Sequence, residues 1–336
     1  MKTQLILLTL LTGLCAHAAE TTSILGAGAT FPAPFYQKCF LTYKIQNPNI
    51  EITYNPIGSG GGIKNLKEQT VDFGASDAPM TDEELNGEKA ILHIPTVMGA
   101  VVVTQNLGAE KVELNLSQEV LAGLFLGDIT KWNDPKIAEL NKGKTLPDLD
   151  VVVVYRADSS GTTNIFTEYL AKISPTWKTK VGSGKTVKWS VGQGNKGNQG
   201  VASVVKNTPG AIGYVELVYA EQEKMAIDAI KNKAGKFVKP SLASVTAAAS
   251  ASAKAMPADF RVSMTDADGA ATYPISAFTY LLVYQEMEKA KGTEIVKLLN
   301  WMMKDGQALA SPLFYAPLPA ATLAKVKAKI KTIQLK

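Results

Sequence analysis

Thiols and imidazoles are scarce in this chain. Its 336 residues include two cysteines, Cys15 and Cys39, and two histidines, His17 and His93. That scarcity excludes a disulfide scaffold, a cysteine-rich zinc site and a multi-histidine metal centre. Charge of one sign is also in short supply. The net charge is +5, and the lysines and arginines are scattered rather than gathered into the basic stripe of a nucleic-acid protein. With 46% hydrophobic and 19% charged residues, the composition is that of a globular protein, which rules out disorder, collagen and coiled coil. Beyond the N-terminal region no apolar run approaches the ~20 residues of a membrane span. The best of them, Tyr273 to Tyr284, reads as a buried strand. The length points to two domains.

What is present begins with a leader. Lys2, the apolar run Leu5 to Leu14 and the small-residue site Ala16-His17-Ala18 predict a secretory signal peptide over residues 1–18, cut after Ala18. The residue before Cys15 is Leu14, where a lipidation signal requires a small residue, so a freely soluble exported protein is expected. The mature chain keeps one thiol and one imidazole. Phe35, Cys39 and Tyr43 recur at i, i+4 and i+8, which predicts a helix from about Pro34 with Cys39 on its core face. His93 lies in the apolar context Leu92-His93-Ile94 and reads as a satisfied, semi-buried side chain rather than a general base.

Along the mature chain, strand, loop and helix alternate. Glu51 to Ile57 reads as a strand, Gly58 to Gly62 as a loop and Ile63 to Gln69 as a helix. Val71 to Ser76 is strand-like, and Thr81-Asp82-Glu83-Glu84 is a capping box that opens another helix. Val151 to Tyr155 is a β-branched run suited to a strand buried on both faces, followed by a loop and a helix over Thr163 to Ile173. The Ser/Ala-rich stretch Ser241 to Ala255 suits a surface helix or a linker. The class is α/β.

Three loops carry the chemical signal: Gly26 to Pro32, Gly58 to Gly62 followed by Asp77, and Asp158 to Thr162. Each places small residues and hydroxyls where a helix is about to begin. Helix N-termini offer unpaired N–H groups and partial positive charge, so they hold oxyanions. Arg156 ends a predicted strand beside the third loop, where Asp158 can pair with it and hold its guanidinium for a ligand. Other motifs fail. Gly182-Ser183-Gly184-Lys185-Thr186 resembles the end of a P-loop, but Thr179 stands where the first glycine belongs and no apolar strand precedes it. Gly26-Ala27-Gly28 lacks the third glycine of a dinucleotide fingerprint, and no G-x-S-x-G elbow occurs.

An ordered set of segments resembles the phosphate-binding proteins of high-affinity bacterial phosphate ABC importers. It comprises Gly26 to Pro34, Gly58 to Gly62, Asp72 to Asp77, Gly127 to Pro135, Arg156 to Thr162, Lys196 to Val201 and Pro209 to Glu216, and covers essentially the whole mature chain. The resemblance implies a two-lobed type II periplasmic binding fold that crosses twice between its lobes, near Pro95 to Ala100 and Thr272 to Ser276. The lobes would be residues 19–97 with 275–336, and residues 98–274. Carried over by position, phosphate would be held by Thr30, by Phe31 through its backbone N–H, and by Ser59, Arg156, Ser160, Gly161 and Thr162, with the Asp77 carboxylate accepting. Ser159 departs from the glycine frequent at that place, which serine fits only at negative φ. The implied partners are inorganic phosphate and an inner-membrane ABC permease, with no cofactor, metal or nucleic acid, no membrane insertion of the mature chain, a monomeric state and a periplasmic location. The residues agree on one physical point: a carboxylate in an anion site repels unless the anion brings a proton, as phosphate does at neutral pH and sulfate does not. A receptor for another oxyanion or a small organic phosphate is the nearer alternative reading, and a secreted phosphate-ester hydrolase the further one.

Overall fold

The computed structural model describes residues 21–87, 90–108 and 111–336, so the predicted signal peptide, with Cys15 and His17, lies outside the described residues. Its main sheet contains strands β1 (Thr22–Gly28), β2 (Ile50–Asn55), β3 (Phe73–Ser76), β4 (Ile91–Gln105), β5 (Val152–Arg156), β6 (Gln193–Asn195), β7 (Ala211–Glu216) and β8 (Ser276–Tyr284). Their order across the sheet is β2-β1-β3-β8-β4-β7-β5-β6. The chain therefore builds one half from β1 to β3, a second half from β5 to β7, and returns to the first with β8.

β4 joins the halves. Residues Ile91 to Ala100 pair antiparallel with β8, whereas Val101 to Gln105 pair antiparallel with β7. All but its first two residues are buried, as are all but the last of β8. Long apolar runs of this kind belong in the middle of a sheet covered on both faces. Within each half, β1 pairs parallel with β2 and β3, and β5 pairs parallel with β6 and β7. Parallel neighbours require helical crossovers, and α1 (Ala33–Gln46) and α2 (Ser59–Lys67) serve the first half. The short α3 (Asp82–Leu85) leads to β4, α4 (Gly161–Ile173) and α5 (Gly197–Asn207) serve the second half, and α6 (Leu242–Ser252) precedes β8, among other helices.

Helix α1 carries Pro34 in its first turn and buries Phe35, Tyr36, Cys39, Phe40 and Tyr43, the face that the i, i+4, i+8 pattern predicts. The capping box at Thr81 is formed, but α3 runs for only four residues. Several expectations need correction. The glycines after Gly58 lie inside the first turn of α2 rather than in a loop. They are there because α2 presses against the sheet: a Cβ on Gly62 would stand 2.5 Å from the Gly28 Cα and 2.6 Å from the Ala27 carbonyl. Helix α4 starts at Gly161, two residues early, because Ser160 caps it by accepting from the Thr163 N–H at 3.1 Å. The Ser/Ala-rich stretch forms α6, which buries Val245, Ala248 and Ala249 beside β4 and β8 and so is neither linker nor fully surface. In β5 only Val153, Val154 and Arg156 are buried, since the strand lies one place from the sheet edge.

Candidate functional site

Four helix starts converge where the two halves of the sheet meet. The first follows β1. Gly28 (φ +145°) passes so close to β3 that a Cβ there would lie 2.1 Å from the Ala75 carbonyl, a place only glycine can take. The chain then turns through Thr30 and Phe31 into α1. Three phenols pin the turn by its carbonyls: Tyr54 donates to Ala29, Tyr219 to Thr30 and Tyr315 to Phe31, each at 2.6 Å. The Phe31 ring is buried in the core against Tyr315, so only its backbone faces the site chemistry.

The second start is α2. The Ser59 hydroxyl oxygen accepts from the Asp77 N–H at 3.2 Å and from the Gly161 N–H, in the other half, at 3.1 Å. Asp77 follows β3 and is 3% exposed. Its Oδ1 accepts from the Thr279 hydroxyl at 2.8 Å, and its Oδ2 lies 3.5 Å from Ser59 Oγ. Burial pushes its pKa up to about 7, against the hydroxyls of Thr279 and Ser59 and the charge of Arg156, which draw it down.

The third start is α4. Arg156, at the end of β5, is 4% exposed and forms a two-point pair with Asp158, Nε to Oδ1 at 2.8 Å and Nη2 to Oδ2 at 2.5 Å. Its Nη1 donates to Thr162 Oγ1 at 3.3 Å. The expected Arg–Asp pair is present. Although burial pushes Asp158 up, its bonds to Arg156 and the Gly197 N–H outweigh that and hold its carboxyl below the usual range. Ser159 is absent from the residues with positive φ, so serine is accommodated without strain, and its carbonyl accepts from the Gly60 N–H at 3.0 Å across the cleft. Gly161 is required by contact: a Cβ there would stand 2.4 Å from Ser59 Oγ and 2.7 Å from Asp77 Oδ2.

All eight predicted site residues, Thr30, Phe31, Ser59, Asp77, Arg156, Ser160, Gly161 and Thr162, are buried around this junction. Two residues of the same junction escaped the sequence reading. Asn198, in the first turn of α5, the fourth helix start, donates from Nδ2 to Thr30 Oγ1 at 2.8 Å and to Thr162 Oγ1 at 3.2 Å, tying the halves together. The family resemblance covers its segment, Lys196 to Val201, but gives Asn198 no role. Thr279 holds Asp77, and a hydroxyl in the apolar strand Ser276–Tyr284 is a signal that could have found it. His93 lies away from this cluster: its Nε2 accepts from the Met80 N–H at 2.9 Å, and burial pushes its pKa down to about 4. It is the satisfied histidine expected. Cys39 is buried, which pushes its thiol up and leaves it unreactive.

The arrangement gathers one guanidinium, several hydroxyls and helix-start N–H groups around the buried Asp77 carboxyl, while Asp158 is taken up by the guanidinium. Such a set suits a tetrahedral oxyanion that also carries a proton. Among the described residues, no group of three or more His, Cys, Asp or Glu side chains could hold a metal, and no helix is long and apolar enough to cross a membrane.

Comparison with known proteins agrees. Residues 16–305 match the family model of the PBP superfamily domain. The chain is 42% identical over 334 residues to the phosphate-binding protein PstS of Pasteurella multocida, covering 99% of this chain and 96% of that one. It is 42% identical over 316 residues to PstS of Haemophilus influenzae, covering 94% of each. Among solved structures, the high-affinity periplasmic phosphate-binding protein PfluDING, bound with phosphate, superposes with a TM-score of 0.72 at 25% identity, covering 91% of this chain and 93% of that one. The phosphate-binding protein of Stenotrophomonas maltophilia gives a TM-score of 0.69 at 22% identity over 92% and 94% of the two chains, a likeness of fold. The α/β fold is thus the two-lobed type II periplasmic binding fold, with a cleft between lobes joined by crossing segments. The chain belongs to the PBP superfamily and, within it, to the family of PstS phosphate-binding proteins.

Proposed function

We propose that the mature chain binds inorganic phosphate between its lobes and delivers it to the inner-membrane permease of a phosphate ABC importer. One observation carries this reading: hydroxyls and helix-start N–H groups gather around the buried carboxyl of Asp77, which bonds to no cation. An anion that only accepts hydrogen bonds leaves that carboxyl opposed, whereas phosphate at neutral pH has a proton to share with it. The donors would be Thr30, the Phe31 N–H, Ser59, Arg156, Ser160, the Gly161 N–H and Thr162. The names of the relatives and the phosphate-bound neighbour support the same ligand. Those relatives are named as binding proteins, not enzymes, and a hydrolase reading is set aside with them.

In this reading residues 19–97 and 275–336 form the first lobe and residues 98–274 the second. The change of partner along β4 after Ala100 supports a boundary close to the one expected. The protein works as a monomer in the periplasm after cleavage following Ala18, without cofactor or nucleic acid.

The carboxyl near pKa 7 refines the expected exclusion of sulfate. Above that pH, sulfate meets an ionised acceptor, and leaving such buried groups unpaired costs ~1–3 kcal/mol or more. Below it, a protonated Asp77 can donate, and sulfate gains entry. The test is calorimetry of the mature protein against phosphate and sulfate at pH 8. Tight phosphate binding with millimolar sulfate failing to compete is expected; equal binding of both anions, or of neither, sinks the reading.

A further inference from the structure

The Gly182 to Thr186 segment, which is no P-loop, has another place in the molecule. It is docked on the second lobe: the Lys185 carbonyl accepts from the Ser160 N–H at 2.8 Å, and the Gly184 N–H donates to Thr167 Oγ1 at 3.1 Å. The Lys185 side chain leaves that lobe. Its Nζ stands 2.7 Å from both carboxylate oxygens of Glu84, which belongs to α3 of the first lobe. Glu84 is itself fixed there. Its carboxylate accepts from the Thr81 N–H at 2.9 Å, and its carbonyl accepts from Lys67 of α2 at 2.8 Å.

Exposure separates this pair from the rest. Among the described ion pairs, only Arg156–Asp158 and Lys185–Glu84 have both side chains less than a third exposed. Arg156–Asp158 lies within one loop, so Lys185–Glu84 is the shielded pair that spans the cleft. Shielded charges are screened less than surface pairs, whose worth is near zero.

We propose that Lys185–Glu84 is a clasp that stabilises the closed arrangement of the lobes and slows ligand release without touching the ligand. The pair can form only when the lobes meet, so it has different free energy in the open and closed states, which is what a shift of that equilibrium requires. Lys185 is then a positioning residue: its backbone holds the N–H of the ligand-loop residue Ser160 while its side chain grips the facing lobe. The identity of the ligand rests on the reading above; the clasp itself does not.

The test is a double-mutant cycle in the full mature chain, using Lys185→Met, Glu84→Gln, both together, and the swap Lys185→Glu with Glu84→Lys. Lys185→Met keeps the carbonyl that serves Ser160, and Glu84→Gln keeps a residue that capping boxes accept. Spin labels at Leu41→Cys and Lys178→Cys, exposed sites on the two lobes, report the interlobe distance while buried Cys39 stays unlabelled. Each single variant should release phosphate about 5-fold faster and move the ligand-free distances toward the open state. The double variant should be no worse than either single one, and the swap should recover much of the loss. Additive effects, or unchanged distances in folded variants, overturn the clasp. Should the wild type bind no phosphate, the functional reading falls, and the ligand-free distances still decide the clasp.

Discussion

Two carboxyls stand at the same junction and have their pKa values shifted in opposite directions. Asp77, which follows β3, has its pKa raised to about 7, while Asp158, which follows β5, is held below the ordinary value. Burial raises both. The difference is the partner: Asp158 receives two guanidinium N–H groups and a backbone N–H, whereas Asp77 receives the neutral hydroxyl of Thr279 and stands near that of Ser59. A carboxylate paired with a cation becomes scaffolding for that cation. One that bonds only to hydroxyls is left to burial, which raises its pKa.

The largest expected effect comes from removing the cation. Arg156→Ala should weaken phosphate binding at least ~100-fold, about 2.7 kcal/mol, because a buried charge-assisted contact is lost. Calorimetry measures it, with circular dichroism to check that the fold persists; unchanged affinity would take Arg156 out of the site. Next comes Gly161→Ala. Its methyl would meet Ser59 Oγ and Asp77, so closure should be obstructed at a cost of ~1–3 kcal/mol, at least about tenfold in affinity. Solution scattering should then show a smaller contraction with phosphate than in the wild type, and an undiminished contraction with wild-type affinity would contradict the close contact.

The carboxyl comparison itself is tested by pH. Sulfate should compete better with phosphate as pH falls from 8 to 5 in the wild type. In Asp77→Asn, which should keep much of its phosphate affinity, sulfate should compete at every pH, because the amide always has a donor. Stability gives the matching sign. A raised pKa means that the folded protein binds a proton that the unfolded chain has released, so the ligand-free wild type loses stability between about pH 4 and 7. Asp77→Asn should flatten that decline. Asp158 runs the other way: its lowered pKa adds stability above the ordinary carboxylate range, lost as pH falls through the folded value. Thermal melts of Asp77→Asn and Asp158→Asn should therefore depart from the wild type with opposite slopes, and parallel curves would refute the distinction. The smallest effect is expected from Thr279→Val. Losing the hydroxyl that donates to Asp77 should move the midpoint of sulfate admission to higher pH, by less than the effect of Asp77→Asn. A midpoint that stays in place would mean that Thr279 does not tune the carboxyl.

Much of this was legible locally. The core face of α1 follows from Phe35, Cys39 and Tyr43 at helical spacing, and the three donor loops follow from glycines and hydroxyls ahead of helix starts. Where the reading slipped, the reason was contact. Gly60 to Gly62 look like a loop because glycine is a poor helix former, yet they lie in the first turn of α2 because a Cβ would strike Ser159 at Gly60, Ile57 at Gly61, and β1 and β3 at Gly62. Asn198 was missed because its importance lies in bridging Thr30 and Thr162, residues far from it in sequence.

The sequence by itself therefore determined the α/β class, the strand runs and the helix starts rich in donors, since periodicity and capping act within a few residues of chain. Only the tertiary structure decided that Ser59 meets Gly161, that Asp158 bonds to a cation while Asp77 bonds to hydroxyls, and that Lys185 reaches Glu84. Ionisation and close approach depend on what surrounds a group in space. Those surroundings are assembled from segments more than two hundred residues apart, such as Asp77 and Thr279.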